Sequence, residues 1–578
     1  MIIIFGGTTE GRRAVEVLEQ AGKPYFYSTR SGEQEVPLVH GQRLAGAIDE
    51  EAMVAFCRDH GIRLIVDAAH PFAKELHHNL CRVAEELAIP LVRFERIFPP
   101  READITWIDD YSQVPTDIHT LLATTGVQSI CKLKYLGAEG IKVFYRILHR
   151  ESSIALAKAQ GADESQLYYY EDDNTIDIDA DAILLKESGE SGGFSQKVNA
   201  ARAKGMRIIA LKRPLINYSL YNINYTLVNG PHGLRRMIEH LLPDFFPLKS
   251  GLTTGTCATA AAVAALCRLQ TGQTPENVPV RLPDGETISV PVGYSDDYAF
   301  CLKNAGDDPD VTNGVEIRAS VQLAEDFVIK GGDGVGRFTL PGFDFPPGEP
   351  AINRGPRQML RENIPGNYSI TISVEHGAEL ARRTFNPRLG IEGGISIIGV
   401  SGIVQPYSEE AFLESIRKCL KVACASGAQR IVLGSGAKSE NALRALYPEL
   451  PTQAFVQYGN FVGETLQMAA ALGCNSVTLG VMLGKAVKLA SGQLDTHSRR
   501  ATFDRDFVRQ LLIESHCDAA LADSVTLVRE LWDLLPSSAL TSFVHTVLDH
   551  CRRHCLPLLP NGELTILLID DEGRIYQL

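Results

Sequence analysis

Residues 2–13, IIIFGGTTEGRR, decide the class of fold with which the chain begins. The four apolar residues predict a short buried strand, and the glycines and threonines after them predict a tight loop. A helix is expected from Gly11 to about Ala21. A strand, a glycine loop and a helix in this order are the first unit of a doubly wound α/β sheet.

The alternation of strand and helix continues through the first half of the chain. Further short apolar runs predict strands at residues 24–28, 62–66, 90–94, 121–124, 142–147, 182–186 and 206–212. Amphipathic stretches between these runs predict helices, and this order favours parallel βαβ units. The first half is therefore expected to be α/β, with two small lobes at about residues 1–97 and 98–244.

The composition bounds the function. The chain has 578 residues, which is enough for several domains, and its formal net charge is −14. An acidic chain binds nucleic acid and anionic membranes poorly, so neither partner is expected. Twelve cysteines without a CxxC pair, no signal-like start and no long apolar run favour the cytoplasm. The oligomeric state is left open.

The first loop lies where doubly wound folds bind phosphate groups. Gly6 and Gly11 match the G-x-G-x-x-G pattern, but Thr8 replaces the middle glycine. A tight turn without a ligand therefore stays an alternative. The residues expected to bind the cofactor are Gly6, Gly7, Thr8, Thr9 and Glu10.

The end of the second strand bears on the choice of nicotinamide cofactor. A free ribose 2′-hydroxyl usually meets Asp or Glu at this position, whereas Arg30 suits a 2′-phosphate better. Arg30 is therefore a candidate cofactor-binding residue and favours NADPH over NADH without excluding NADH.

Two further strand ends carry polar residues, and ligands bind at the carboxyl ends of such strands. VDAAHPFA, residues 66–73, places His70 at one end, and LLKESGESGGFSQK, residues 184–197, places Lys186 and Ser188 at another. His70 is a candidate catalytic residue, while Lys186 and Ser188 are candidates for binding substrate. The alternatives are a helix-terminal histidine satisfied by backbone and a ligand-free flexible turn.

These segments together resemble the precorrin-6A reductase family. The resemblance rests on IIIFGGTTEGRRAVEVL, IVDAAHPFA, LLATTG and LLKESGESGG with the later KVNAAR and IIALKRP, and it covers most of residues 1–242. It implies two Rossmann-like lobes, and it implies that NADPH or NADH donates hydride to one double bond of a corrin precursor. A proton must follow, and His70 or a water molecule could supply it.

A second beginning occurs at residues 246–266, FPLKSGLTTGTCATAAAVAAL. Prolines mark a domain boundary near residue 244, and a loop of glycine and threonine leads into an alanine-rich helix that Thr256 can cap. Asp284-Gly285 predicts a hairpin. The expected regions are a mixed α+β part at about 249–425, a second parallel α/β part at about 426–515, and C-terminal helices with a hairpin at 516–578.

The second α/β part contains one candidate cofactor loop. The segment RIVLGSGAKSENALRAL reads as a strand, a loop and a helix, and Gly434, Ser435 and Gly436 in that loop could lie under an adenosyl group. The histidines and cysteines of VHTVLDHCRRHC fall on adjacent helical faces, so an ordinary helix is expected and no metal site is assigned.

The second half resembles the cobalt-precorrin-5B methyltransferase family, which acts at carbon 1 of the macrocycle. The segments SGLTTGTCATAAAVAA, GGDGVGRFTLPG, PGEPAINRGPR, TFNPRLGIEGGISIIGVSGIV and GKAVKLASGQLDTHS carry the resemblance. It implies S-adenosyl-L-methionine as methyl donor and a macrocycle ringed with acetate and propionate groups, which Arg and Lys bind well. The candidate substrate-binding residues are Arg354, Arg357, Arg388, Lys485, Lys488, His497 and Arg499, and Glu392 and Asp495 are candidate catalytic residues.

The two resemblances predict a fused enzyme. The methyltransferase product, cobalt-precorrin-6A, is the substrate of the reductase, so the chain order is the reverse of the reaction order. A carrier of a labile tetrapyrrole and an enzyme pair acting on a different acidic tetrapyrrole stay as alternatives.

Overall fold

The computed structural model describes residues 1–30, 36–170, 176–497 and 504–577, which form two compact units. The first unit comprises Met1–Lys249 with Arg281–Ser289, and the second comprises Ser250–Val280 with Val290–Leu578. The first unit thus includes a short segment that follows the boundary expected from the sequence.

The first lobe is built on a six-stranded parallel sheet. With elements numbered in chain order, its strands are β1 (Ile2–Phe5), β2 (Tyr25–Thr29), β3 (Gly41–Ala45), β4 (Leu64–Asp67), β5 (Leu91–Phe94) and β12 (Tyr225–Val228), in the order β12-β5-β4-β1-β2-β3. Its helices are α1 (Thr9–Glu19), α2 (Glu50–Asp59), α3 (Lys74–Leu87) and α8 (Pro231–Leu241). Buried apolar residues on both faces of the sheet form its core.

The second lobe is also a six-stranded parallel sheet. Its strands are β6 (Thr106–Ile108), β7 (Thr120–Ala123), β8 (Lys142–Leu148), β9 (Leu167–Tyr170), β10 (Ala182–Lys186) and β11 (Arg207–Leu211), in the order β6-β11-β10-β7-β8-β9. Its helices are α4 (Ile130–Leu133), α5 (Tyr135–Ala138), α6 (Glu151–Ala159) and α7 (Phe194–Ala203).

The two lobes are not consecutive in the chain. After the second lobe the chain returns to the first sheet, where β12 pairs with β5 and α8 packs against α1. The chain therefore passes between the two lobes twice, and the boundary expected at residue 97 is the first of these two passages. Residues 225–241 belong to the first lobe. Strand β12 completes the sheet by pairing with β5. No local sequence pattern in residues 225–241 predicts this pairing.

The second unit begins with a mixed α+β region. Its strands are β13 (Gly251–Leu252), β14 (Asn277–Arg281), β15 (Thr287–Pro291), β16 (Gly293–Tyr294), β17 (Ala299–Leu302), β18 (Glu316–Leu323), β19 (Val328–Gly331), β20 (Arg337–Phe338), β21 (Tyr368–Val374), β22 (Ile391–Glu392) and β23 (Ile403–Val404), and its helices are α9 (Thr254–Thr271), α10 (Arg354–Asn363) and α11 (Gly377–Ala381). Strands β16-β17-β18-β21-β19 form a sheet against which the buried helix α9 packs.

The second unit ends with a parallel α/β region. Its strands are β24 (Ile431–Gly434), β25 (Phe455–Gln457), β26 (Ser476–Met482), β27 (Glu563–Ile569) and β28 (Ile575–Tyr576), in the order β25-β24-β26-β27-β28. Its helices are α12 (Glu409–Ala425), α13 (Ala437–Leu446), α14 (Val462–Ala471), α15 (Leu483–Ala490), α16 (Arg505–Glu514), α17 (Leu521–Ser524), α18 (Leu531–Leu534) and α19 (Ser537–Cys555). Strand β27 pairs in parallel with β26, so the C-terminal segment completes this sheet.

These parallel sheets and the mixed region between them confirm the expected α/β class. Strands β14 and β15 form the expected hairpin. Within the described ranges, no helix combines the length and the apolar character that a membrane crossing requires.

Candidate functional sites

The first loop of the first unit is open at Gly7. Its backbone has a φ of +89°, and a Cβ atom built there would find no other atom within 4 Å. Beneath the loop, the Gly7 amide donates to the Tyr27 hydroxyl at 3.0 Å. The ring of Tyr27 also fills the space that a Cβ at Gly6 would need. The loop is thus supported from below and leaves room for a ligand above.

Thr8 and Glu10 in this loop contact other parts of the protein. The Thr8 hydroxyl accepts from the Gly11 amide at 3.1 Å and donates to the Ala68 carbonyl at 2.7 Å. The buried Glu10 carboxylate accepts from Arg96 Nε at 2.9 Å and from Ser191. Burial raises the pKa of Glu10, but Arg96 and Ser191 outweigh it, so the pKa is lowered. Both side chains fix the loop at the carboxyl end of β1.

Arg96 connects the two lobes of the first unit. Besides its contact with Glu10, it donates through Nη1 to the Ser188 carbonyl at 2.7 Å. The carboxyl ends of β1, β5 and β10 therefore meet at one place. The sequence analysis missed Arg96; its only signal was a charged residue that follows Glu95 after the buried strand β5.

His70 lies at this meeting place as a neutral imidazole. Its Nδ1 accepts from the Phe72 amide at 3.2 Å, so the proton of the neutral ring is on Nε2. Burial, Arg96 and Lys186 lower the pKa of His70 to about 3. His70 is therefore uncharged near pH 7 and can donate a hydrogen bond from Nε2.

A buried charge network supports the segment that carries His70. The Asp67 carboxylate contacts His77 Nδ1 at 2.6 Å and Arg93 Nη1 at 2.9 Å. Burial raises the pKa of Asp67, but Arg93 and His77 bring it down to about 2. Arg93 also donates to the Ala69 carbonyl at 3.0 Å, and His77 Nε2 is 3.1 Å from the His70 carbonyl. The network holds residues 67–70 in place.

Two lysines lie on the second-lobe side. Lys186 Nζ lies 5.1 Å from the centre of the Phe72 ring, and burial and Lys132 lower its pKa. Lys197 Nζ donates to the Gly192 carbonyl at 2.9 Å, and burial, Arg146 and Arg96 lower its pKa to about 8. In these contacts the lysines meet a backbone carbonyl and an aromatic ring, and not a carboxylate. Each lysine can therefore bind an anionic group of a ligand.

The other predicted residues of this unit are at its surface or in the same loops. Arg30 is exposed at the end of β2. Thr9 is the first residue of α1. The Ser188 hydroxyl donates to the Gly192 carbonyl at 3.2 Å, so this serine shapes its own loop.

In the second unit, Gly434, Ser435 and Gly436 lie at a topological switch point. The chain leaves β24 for β25 on one side and then returns to β26 on the other side. Ligands of open α/β sheets bind at such a point. The Gly436 amide donates to Ser439 Oγ at 3.2 Å, and a Cβ at Gly436 would contact nothing within 4 Å.

Lys485 follows β26 at the same edge of the sheet. Its Nζ donates to the Gly459 carbonyl after β25, and burial and Lys488 lower its pKa to about 8. Lys488 donates to the Thr496 carbonyl at 3.1 Å. The His497 amide donates to Asp495 at 3.0 Å, and the contact between Lys488 and Thr496 places residues 495–497 close to Lys488. Arg499 lies outside the described residues.

A cavity of about 630 Å³ opens beside these lysines. It is lined by the first turns of α15, by Trp532 and Phe507, and by the carboxylates Asp504 and Asp571. The sequence analysis did not find it, because residues from four separate segments form its wall.

The arginines of the mixed region are mostly engaged by the protein itself. Arg357 donates to Glu349 at 2.8 Å and to the Ile352 carbonyl at 2.8 Å. Arg388 donates to the buried Glu440 at 2.6 Å. Arg354 and Glu392 are exposed, on α10 and β22 respectively.

The motifs that carried the second resemblance are largely structural. Helix α9 begins at Thr254 and is capped by Thr253, whose side chain accepts from the Thr256 amide at 3.1 Å; the expected cap at Thr256 is therefore wrong. The Thr256 hydroxyl instead donates to the Gly402 carbonyl at 2.5 Å. Asn386 donates to the Gly394 carbonyl at 3.1 Å. These polar groups fasten backbone segments together.

Three side chains of metal-ligand type meet in the first unit, where the sequence analysis assigned none. Ligand atoms of His232, Asp284 and Glu286 all lie within 4.8 Å of one another. Both oxygens of the buried Glu286 accept amides at the start of α8, from His232 and Gly233. The group thus also caps this helix.

Comparison with known proteins identifies both parts of the chain. The chain is 45% identical over 345 residues to the cobalt-precorrin-5B C(1)-methyltransferase of Prosthecochloris aestuarii, covering 56% of this chain and 94% of that protein. The chain belongs to the cobalt-precorrin-5B C(1)-methyltransferase family. The protein of the same name from Geobacillus kaustophilus is 38% identical over 334 residues, covering 54% of this chain and 90% of that protein.

Family models divide the chain in the same way. The CbiD model matches residues 244–406, and the model described as precorrin-6x reductase CbiJ/CobK matches residues 1–229. The chain is thus a fusion of a CbiJ/CobK reductase part and a CbiD methyltransferase part, as the two resemblances predicted.

Two solved structures are similar to separate parts of the chain. A cobalamin biosynthesis protein (cbiD) from Archaeoglobus fulgidus is 30% identical, with a TM-score of 0.26, and covers 44% of this chain and 83% of that one. A CobK precorrin-6A reductase is 18% identical, with a TM-score of 0.34, and covers 42% of this chain and 97% of that one.

Proposed function

We propose that this chain catalyses two consecutive steps of corrin-ring synthesis. Its second unit methylates cobalt-precorrin-5B at carbon 1 to give cobalt-precorrin-6A, and its first unit reduces that product to cobalt-precorrin-6B. The observation that carries the proposal is the 45% identity to a cobalt-precorrin-5B C(1)-methyltransferase, joined in one chain to a CbiJ/CobK match.

The first unit offers a fitting place for NADPH or NADH. The open space above Gly7, at the carboxyl end of β1, is where backbone can approach a pyrophosphate. Thr8, Thr9 and Glu10 shape this loop with Gly6, and Arg30 can meet a 2′-phosphate. A bound nicotinamide supplies the hydride.

The side chains around Arg96 suit the acidic substrate. Lys186 and Lys197 hold substrate carboxylates, and Ser188 lies in the loop between these two lysines. The neutral His70 contacts the substrate as a hydrogen-bond donor through Nε2 and positions the water that delivers the proton. This role agrees with an imidazole that is uncharged at neutral pH.

The second unit offers the carboxyl edge of the β24–β26 sheet for S-adenosyl-L-methionine. Gly434, Ser435 and Gly436 lie there, and the space at Gly436 is open. The bound donor supplies the methyl group, and the electron-rich ring carbon of the substrate attacks it. Holding the two partners in line supplies most of the rate enhancement.

Basic side chains of the second unit hold the carboxylates of the macrocycle. The proposed residues are Lys485, His497, Arg354, Arg357 and Arg388, the last two after exchanging part of their present contacts. Asp495 and Glu392 are the proposed groups that stabilise positive charge or move a proton. The cytoplasm is the proposed compartment, since the twelve cysteines of the sequence include no CxxC pair and no closely spaced framework.

A mass measurement tests the proposal. Incubated with cobalt-precorrin-5B, S-adenosyl-L-methionine and NADPH, the chain should add one methyl group and then two hydrogens. A carrier would bind the macrocycle and leave its mass unchanged. An enzyme pair for another tetrapyrrole would leave this substrate unchanged but modify a different acidic one.

A further inference from the structure

The cavity beside α15 has the size and chemistry of a small-ligand site. Its volume of about 630 Å³ falls within the range of roughly 300–1,000 Å³ that such sites occupy. It lies at the carboxyl ends of β26 and β27, where ligands of parallel sheets bind. Nothing in the comparisons assigns a ligand to it.

Aromatic and charged groups share the wall of this cavity. Trp532 lines it and stacks on Tyr576 with ring centres 5.2 Å apart, and Phe507 lines it as well. Asp504 caps α16 through one oxygen, which accepts from the Phe507 amide at 3.0 Å. Asp571 pairs with Lys438 of α13 at 3.1 Å. The remaining acceptor positions of both carboxylates can bind hydroxyl or ammonium groups.

The cations of the wall come from α15 and from Arg529. Lys485 and Lys488 each spend one donor on a backbone carbonyl, and an ammonium group has three. Three cations and two carboxylates therefore face one cavity. This balance suits a ligand that carries both signs of charge.

We propose that this cavity binds the adenosyl part of the sulfonium methyl donor. The adenine ring packs against Trp532, the ribose hydroxyls meet the carboxylates of Asp504 and Asp571, and the carboxylate of the amino-acid end meets Lys488. The Lys438–Asp571 pair joins the cavity wall to α13, the helix that follows Gly436. This inference rests on the proposed methyl transfer.

Two features make the assignment measurable. The chain has two tryptophans, Trp107 and Trp532, so Trp107→Phe leaves one fluorophore, which lies in the cavity wall. Gly484 lines the cavity, lies within α15, and has no atom within 4 Å of a built Cβ. Gly484→Leu should therefore fill the cavity without disturbing the helix.

The test is a titration of the full Trp107→Phe chain with S-adenosylhomocysteine, by fluorescence and by calorimetry. The emission of Trp532 should change and saturate with the dissociation constant that calorimetry gives. Added Gly484→Leu should weaken binding at least tenfold. Gly137→Leu is the matched control, because Gly137 is also helical and open but lies in the first unit; it should leave binding unchanged.

Each outcome decides between distinct conclusions. If S-adenosylhomocysteine binds by calorimetry, but the emission of Trp532 does not change and Gly484→Leu binds normally, the cavity assignment is overturned. The proposed methyl transfer then still stands. If the unmodified chain neither binds it nor adds a methyl group, the proposed methyltransferase function fails. If ATP binds as tightly, the cavity is an adenine-nucleotide site and the inference fails. Ser491→Phe, which lines the same cavity, replaces Gly484→Leu if that variant does not fold.

Discussion

A substitution at Gly7 tests whether the first loop binds a ligand, because Gly7 has a positive φ and open space above it. Its φ of +89° penalises any side chain, and the space above it is open. Gly7→Val should therefore raise the KM for the reduced nicotinamide at least tenfold and leave methyl transfer unchanged. Gly22→Val is the matched control, since Gly22 has a φ of +64° and open space at the far end of α1.

Both valine variants carry a similar cost in stability, on the order of 1 kcal/mol. Only the variant in the cofactor loop should change cofactor kinetics. Equal KM values for Gly7→Val and Gly22→Val would remove the loop from the site.

Arg30 tests the choice between the two nicotinamides. If it binds a 2′-phosphate, Arg30→Ala should weaken NADPH more than tenfold while NADH is little affected, because a charge-assisted hydrogen bond is worth about 1.5–3 kcal/mol. Arg63→Ala is the control, since Arg63 precedes β4 at the opposite edge of the sheet. Steady-state KM values for both cofactors are the measurement. An equal loss for both would exclude the 2′-phosphate as the partner of Arg30, and no loss for either would show that Arg30 faces solvent.

The charge state of His70 makes a prediction about pH. With a pKa of about 3, the imidazole is neutral from pH 5 to pH 9. His70→Leu should lower reductase kcat/KM about tenfold without changing the shape of the pH profile, and His70→Gln should restore part of the rate through its amide donor. If the pH profile of kcat/KM in the unmodified chain falls off near pH 6.5, and both variants lose this fall, the imidazolium form is needed.

At the scale of elements, the sequence did not predict that segment 281–289 clusters with the first unit. This segment belongs to the CbiD match, yet it clusters with the reductase-like unit, where Glu286 caps α8. Burial is the main cause that raises the pKa of Glu286 to about 7, and Asp284 raises it further. The amides of Gly233 and His232 and the charge of Arg13 lower it in part.

This carboxyl predicts how stability changes with pH. Because the pKa is higher in the folded than in the unfolded chain, folding binds a proton between about pH 4.5 and 7. The contribution of Glu286 to stability is therefore complete below that window and lost as pH rises through it. Glu286→Gln should become more stable than the unmodified chain as pH rises from 5 to 8, by an amount on the order of 2 kcal/mol.

Thermal unfolding at several pH values measures this difference. Glu276→Gln is the control, since Glu276 precedes the same hairpin but is exposed. A Tm difference between Glu286→Gln and the unmodified chain that is constant from pH 5 to 8 would show that the carboxyl is not perturbed.

Local patterns predicted those elements whose signal lies within one stretch of chain. The strand, loop and helix at residues 2–19 were foreseen, and so was the hairpin at Asp284, because each pattern fixes its own backbone. The return of β12 to β5 and the pairing of β27 with β26 were missed, since sheet order depends on edges formed far away in sequence. For the same reason His70 was found at a strand end, while its neighbour Arg96 was not.

At the scale of the whole molecule, the two activities should separate cleanly. Each unit has its own parallel sheet and its own open glycine loop. In the full chain, Gly7→Val should accumulate a product with one added methyl group and no added hydrogen. At limiting S-adenosyl-L-methionine, Gly484→Leu should methylate cobalt-precorrin-5B far more slowly than the unmodified chain yet still reduce supplied cobalt-precorrin-6A. Product masses distinguish these outcomes, and loss of both activities in either variant would contradict separate sites.

Separated halves give a stricter form of the same prediction. Residues 1–249 should reduce cobalt-precorrin-6A and be inert toward S-adenosyl-L-methionine, while residues 250–578 should methylate cobalt-precorrin-5B without nicotinamide. Because segment 281–289 is missing from the first piece, α8 loses its Glu286 cap, and that piece should unfold at a lower temperature than the same unit in the full chain. Mixed together, the pieces should complete both steps more slowly than the fused chain, since tethering raises the local concentration of the second site. If the second piece is folded by circular dichroism yet adds no methyl group while the full chain does, the methyl-transfer site requires both halves and the assignment of one activity to each is wrong.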